Sequence, residues 1–207
     1  MLMQERAART RRSLVRAAAR EFDRNGYAGS SLARITRSAG ISMGALTFHF
    51  PNKEDLAAAV REQGHAATVA VVGDVATRRE APVQSVVSLT LALAELLESD
   101  VAVRAAARLS REQPGAAPDW ASAWGPVIRE RLRRPPRDRT GPADDWSTLA
   151  ALAAHLVTGV EAEIRQRACH HEHLAGQSAA QLARVWELTL RGNRPARRSR
   201  SGPCPPR

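Results

Sequence analysis

Several things are scarce in this chain, and each shortage removes a class of explanation. Aromatic residues make up 4% of its 207 positions. Period-two runs of Val, Ile, Thr and Tyr are missing, so strands have little to build from. There are two cysteines, Cys169 and Cys204, the second in a Pro/Arg-rich end; that argues against a disulfide framework and for a reducing compartment. No run of about 18 apolar residues occurs, and the start MLMQERAARTRRSLVRAAAR lacks the apolar centre of a signal peptide. A soluble, cytoplasmic protein with no membrane partner is expected. A Gly-rich phosphate loop, a G-x-S-x-G elbow and an H-E-x-x-H pair are all missing, so neither an enzyme nor a cofactor is expected.

What is present is charge, unevenly placed. The formal net charge is +10. Residues 1–60 hold ten Lys/Arg against five Asp/Glu, residues 61–190 fifteen against sixteen, and residues 191–207 six against none. A basic N-terminal unit points to a polyanion partner, and the near-neutral middle to packing or ligand binding. The basic end reads either as a solvated tail or as an auxiliary phosphate contact.

The rest of the composition is that of an all-α protein, rich in Ala, Leu and Arg. Leu14, Ala18 and Phe22 recur every four positions in a first helix from about residue 7 to Asn25, closed by Asn-Gly. Ser30 or Ser31 can cap a short second helix with Leu32, Ile35 and Ala39 inward and Arg34 and Arg37 outward. Gly40 permits a tight turn, Ser42 caps a third helix of about seven residues, and Pro51 stops it. Asn52 caps a fourth helix running to about Ala76, with Glu54 and Asp55 in its first turn. Further helices are expected over VQSVVSLTLALAELLESD, VAVRAAARLSREQ and WASAWGPVIRERLRR, the last perturbed at Gly125 and Pro126. After the linker RPPRDRTGPADD, two more run from Asp145 to about Cys169 and from Ser178 to about Arg191.

Three short helices with a glycine turn between the second and third make a helix-turn-helix. The stretch AAAREFDRNGYAGSSLARITRSAGISMGALTFHFPNKEDLAAAV resembles the N-terminal domain of TetR-family repressors, with Phe22, Gly26, Tyr27, Ile35, Ala39, Gly40, Phe50 and Lys53 as landmarks. GALTFHFPNKEDLA is most similar to the γ-butyrolactone autoregulator receptors of actinomycetes, which typically read GALYFHFPSKE. The likeness extends more weakly to about residue 191. It implies an N-terminal DNA-binding domain over residues 1–55 and a helical ligand-binding and dimerisation domain over 56–191, with a basic tail over 192–207. It further implies a homodimer acting on double-stranded operator DNA and released by a small-molecule effector. The chain's basicity leans toward the family's pseudo-receptors, which respond to other molecules, often antibiotics or their intermediates.

Ser30, Ser31, Ser42, Arg34, Arg37 and Lys53 are the candidate phosphate contacts, by position at helix ends or on the outer face. Base reading falls to the outward side of the third helix: Met43, Ala45, Thr47 and Phe48, with Gly44 allowing close approach. Here the sequence departs from the family, where lysine commonly stands at position 43 and tyrosine at 47. Anchoring is then expected to shift toward Lys53 and the arginine-rich start. His49 can meet a phosphate or turn into the core.

Leu89, Leu93, Val101, Val127 and Val157 are candidate walls of an apolar effector cavity. By resemblance, Trp124 matches the receptors' ligand-covering tryptophan and Thr158 faces the pocket, with Trp120 one turn away as the competing register. The stripe Leu149, Leu152, Leu156, Val160, Leu182, Val185 and Trp186 fits a four-helix dimer interface or the core. CHHEHLAG, with Cys169, His170, His171 and His173, gathers metal-ligand types, but adjacent ligands at a helix end seldom close a tetrahedron, and no metal is expected. The rival reading is a basic helical interaction protein without sequence-specific DNA binding.

Overall fold

The computed structural model describes residues 2–133, 143–169 and 176–192, and among them every regular element is helical. The order is α1 Leu2–Gly29, α2 Leu32–Ala39, α3 Met43–His49, α4 Lys53–Thr77, α5 Pro82–Ser99, α6 Val101–Glu112, a 3₁₀ turn Trp120–Ala123, α7 Gly125–Arg133, α8 Ala143–Cys169 and α9 Gln177–Gly192. The Cys/His tract falls almost wholly outside the described residues, as do most of the linker and the basic tail. No described helix is long and apolar enough to cross a membrane.

Local chemistry sets the boundaries of the short helices. The Ser31 hydroxyl accepts the Arg34 N–H at 3.2 Å, Ser42 that of Ala45 at 3.2 Å, and the Asn52 carbonyl oxygen that of Asp55 at 2.8 Å. Each satisfies a donor that the first turn leaves free. Gly40 closes α2 at φ 66°, a left-handed conformation that costs a glycine little. Asp100 caps α6 by accepting the Ala102 N–H at 2.7 Å, and Pro82 opens α5 where no N–H is needed.

Two expectations on helices change. The first helix begins near the chain start and crosses Asn-Gly: Gly26 breaks the helical path at φ 69°, and helix resumes to Gly29. The tryptophan segment is a 3₁₀ turn followed by α7. Pro126 lacks the N–H that a continuous helix would need there.

Two apolar cores hold these helices, and they share elements. The first gathers Leu14, Ala18 and Phe22 of α1, Ile35, Leu46 and Phe50 around the turn, Leu56 and Val60 of α4, and Ala102, Ala105 and Leu109 of α6. The second gathers Val86, Leu89, Leu93 and Leu97 of α5, Val103 and Ala107 of α6, Trp120, Trp124, Ile128, Val157, Leu182 and Trp186. Helix α6 thus sends one face into each core. The first core runs past residue 55 and draws on a segment nearly fifty positions later.

The stripe on the last two helices is mostly interior. Val160, Leu182 and Trp186 are buried, and Trp186 donates its indole N–H to the Thr90 hydroxyl at 2.8 Å inside the second core. Leu149, Leu152, Leu156 and Val185 are half-buried, and Leu188 is 69% exposed.

Candidate functional site

The outward face of α3 carries little charge. Met43, Gly44, Thr47 and Phe48 are exposed there, Phe48 at 81%, while Ala45 and His49 are half-buried and Leu46 faces the core. The Thr47 hydroxyl donates to the Gly44 carbonyl at 3.1 Å, which leaves its methyl group and oxygen lone pairs outward. His49 does not turn into the core; its ring meets that of Phe48 edge-on at 5.2 Å. The face offers two large apolar surfaces, a methyl and a bare glycine backbone, which suits thymine methyls better than guanine edges.

The candidate phosphate contacts divide. Ser42 is exposed at the start of α3, and Ser31 sits half-buried at the start of α2. Ser30 is buried, and its hydroxyl donates to the Tyr27 carbonyl at 2.8 Å, so its side chain is spent inside the fold. Arg34 lies 2.5 Å from the Glu21 carboxylate and also donates to the Gly29 carbonyl, which draws its guanidinium back onto α1. Lys53, the sole lysine in the sequence, donates to the Ser30 carbonyl at 2.9 Å and lies 4.4 Å from the centre of the Tyr27 ring. Its ammonium pins the joint between α1 and α2 and retains two further donors. On α1, Arg6, Arg9, Arg12, Arg16 and Arg20 are exposed, and Arg11 stacks over Phe50 at 5.2 Å.

Behind this unit α6 makes a polar joint. Arg104 pairs with Asp23 at 2.9 Å, Arg108 donates to the Asp23 carbonyl at 2.7 Å, and Glu112 accepts the Tyr27 N–H at 2.6 Å. Burial pushes the Asp23 carboxyl above the usual range despite Arg104. For Glu112 burial also works upward, but hydrogen bonds from Arg108 and the Tyr27 backbone outweigh it and hold the carboxyl low. On α4, buried Arg61 reaches Glu54 at 2.5 Å and Gln113 at 2.8 Å, tying the start of α4 to the end of α6.

The opposite face of α6 lines a cavity of about 190 Å³. Ala107, Ser110 and Arg111 come from α6, Asp119, Trp120, Ala121 and Trp124 from the 3₁₀ segment, and Thr158 and Glu161 from α8. Trp120 and Trp124 meet edge-on at 5.5 Å. Trp120 donates its indole N–H to the buried Thr68 hydroxyl at 2.9 Å. Trp124 is 3% exposed, and its indole N–H has no acceptor among the described residues. Arg111 grips Glu161 through both terminal nitrogens, one at 2.8 Å. That hydrogen bonding raises the guanidinium's pKa against the opposing effect of burial.

Trp124 and Thr158 therefore meet at one cavity, with Trp120 beside them. Leu89 and Leu93 do not line it: both are buried inside the second core, and Val127 packs against that core from α7. Apolar spacing marks buried helix faces, and a wall facing a cavity gives the same pattern as one facing another helix. Arg111 and Glu161, fifty positions apart, carry no local signal that could have paired them.

Residues 14–60 match the family model described as bacterial regulatory proteins, tetR family. Over 112 residues, 54% of this chain, the sequence is 38% identical to the A-factor receptor protein of Streptomyces griseus; that stretch spans only 38% of the relative's own length. A gamma-butyrolactone receptor described as ArpA-like superposes with a TM-score of 0.69 at 27% identity, covering 90% of this chain and 89% of that one. The TetR-family protein CprB of Streptomyces coelicolor, solved with its biological operator sequence, superposes with a TM-score of 0.68 at 28% identity, covering 92% and 91%.

Proposed function

We propose that this chain, which belongs to the TetR family of bacterial regulatory proteins, acts as a homodimeric repressor that reads a palindromic operator and lets go when a small molecule fills the cavity. The observation that carries the reading is the placement of α6 between the cavity and the helix-turn-helix unit. Ala107, Ser110 and Arg111 face the cavity. Arg104, Arg108 and Glu112 of the same helix hold α1. A shift of α6 that suits an occupant is passed to α1, and through the shared first core to α2 and α3.

Two copies would place their α3 helices about one DNA turn, roughly 34 Å, apart, and the operator half-sites would be spaced to match. An occupant weakens binding only to the extent that it prefers the conformation in which that spacing is wrong. The chain's likeness to the A-factor and gamma-butyrolactone receptors makes a butyrolactone-type signal, or an antibiotic in the manner of pseudo-receptors, the effector class to try first. In this reading affinity comes mainly from Lys53, the N-termini of α2 and α3 and the arginines of α1, and sequence preference from Met43, Ala45, Thr47 and Phe48 over Gly44.

Salt titration of binding to a palindromic duplex tests the reading. Affinity is expected to fall steeply with salt, and Lys53→Ala is expected to flatten the slope of log affinity against log salt by about 0.9 for each phosphate that the lysine neutralises. An unchanged slope would confine Lys53 to the joint between α1 and α2.

A further inference from the structure

We infer that α3 accepts 5-methylcytosine wherever it reads thymine, so that methylation of cytosine C5 in an operator half-site tightens binding. The inference rests on the regulatory reading above and names a modified base as a second target of its recognition helix.

Its basis is what the exposed face of α3 can offer a base and what it cannot. Over Met43–His49 no Lys, Arg, Asn, Gln, Asp or Glu occurs. Guanine shows only acceptors, N7 and O6, in the major groove and is commonly met by paired donors from Arg or Lys. Met43, Gly44, Thr47 and Phe48, the exposed residues of α3, include no nitrogen donor on a side chain, and His49 is half-buried with its ring edge-on to Phe48 at 5.2 Å. What the face does offer is apolar, with Phe48 81% and Met43 43% exposed. A Cβ at Gly44 would meet no atom within 4 Å, so the helix surface one turn before Phe48 is open to a group from outside.

Thr47 supplies the polar half. Its hydroxyl proton goes to the Gly44 carbonyl at 3.1 Å, so toward the groove it presents a methyl group and oxygen lone pairs. That is an acceptor beside an apolar contact. Cytosine carries an amino donor, N4, next to C5, and methylation at C5 sets a methyl group beside that donor. Thymine carries the same methyl beside an acceptor, O4. Thr47 therefore meets both groups of 5-methylcytosine and one of thymine. Unmodified cytosine keeps the donor but leaves Met43 and Phe48 without a methyl to cover. Charge does not choose among these bases, because Lys53 and the arginines of α1 act on phosphates that every sequence shares.

Band-shift titration of the duplex protected in footprinting tests the inference. Each thymine is first replaced singly by uracil, which removes only the methyl group; at positions under α3 this is expected to weaken binding about fourfold. At those positions T·A is then replaced by C·G and by 5-methylcytosine·G. The methylated duplex is expected to bind about fourfold tighter than its C·G counterpart for each methyl, and at least as tightly as T·A. Phe48→Ala, at a position outside both cores, should bring that fourfold step close to one. Thr47→Val keeps the branched shape and removes the acceptor; it should weaken both cytosine duplexes about fivefold and leave T·A within about twofold. If no thymine methyl matters, or the methylated duplex is no tighter than C·G, the inference falls, and selective binding of the T·A duplex leaves the regulatory reading standing. If no duplex is protected at all, the regulatory reading fails and takes the inference with it.

Discussion

Gly64→Val is expected to give a protein that melts earlier and, in the reading proposed above, holds a palindromic operator at least tenfold more weakly, although the residue lies neither on α3 nor at the cavity. Gly64 sits where α4 crosses α6. A Cβ there would stand 2.5 Å from the Ala102 carbonyl oxygen and 2.5 Å from the Ala106 methyl group. Neither can yield, because one belongs to the backbone of α6 and the other to its shortest side chain. The helices must move apart, and overpacking of this kind costs about 1–3 kcal/mol, or a Tm lower by roughly 2–12 °C at this chain length. The operator effect follows from the same displacement, since Arg104, Arg108 and Glu112 would carry α1 with α6. Calorimetry and operator titration of one preparation check both halves. An unchanged Tm would mean that the crossing opens at little cost; a lower Tm with full operator affinity would mean α6 does not set the reading head.

Leu188→Asp is expected to have the larger effect on DNA. Leu188 is 69% exposed on α9, an apolar side chain facing outward beside half-buried Val185 on a helix whose other face, with Leu182 and Trp186, is already packed. In the dimer proposed above that outer face is covered by the second copy, and an aspartate there would bury an unpaired charge. Joining two half-site readers raises avidity by about 10²–10⁴ over one, so separated subunits should lose operator affinity by roughly that factor while each keeps its fold. Sedimentation and operator titration together read the outcome. A variant that stays dimeric would move the interface off this part of α9.

Much of the reading head was legible because its determinants are local. Gly40, Ser42, Asn52 and Pro51 each act within one turn of themselves, so their spacing alone set the end of α2, the bounds of α3 and the start of α4; between Ser30 and Ser31 as cap of α2 the structure selects Ser31. Arg34 and Ser30 show the limit: the sequence places both at positions suited to a phosphate, but the partners that claim them, Glu21 and the Tyr27 carbonyl, depend on how α1 packs against α2, and Ser30 is buried. The apolar stripe of the last two helices was visible, and its division was not. Val160, Leu182 and Trp186 face other helices of their own chain, while Val185 is only half-buried, and period 3.6 does not distinguish a covered face from one awaiting a partner.

The cavity was the least legible part. Trp124 and Thr158 came from resemblance, not from periodicity. Arg111 and Glu161 give the site its character, yet in the sequence each is an ordinary member of a helical pattern. Leu89 and Leu93 have the apolar character and regular spacing expected of walls, and the structure uses them as core. Gly64 carries no sequence sign of its role either, since the close crossing of α4 and α6 exists only once both cores have formed.

The central claim is that this mostly uncharged recognition helix still selects a sequence. Footprinting on intergenic DNA beside the gene that encodes the chain tests it most directly. The expected result is a protected, roughly palindromic element with its half-sites about one helical turn apart and thymines at the positions nearest Met43, Thr47 and Phe48. Uniform weak protection without a preferred site, lost as salt rises, would contradict the claim and leave a basic helical protein that binds DNA by charge alone.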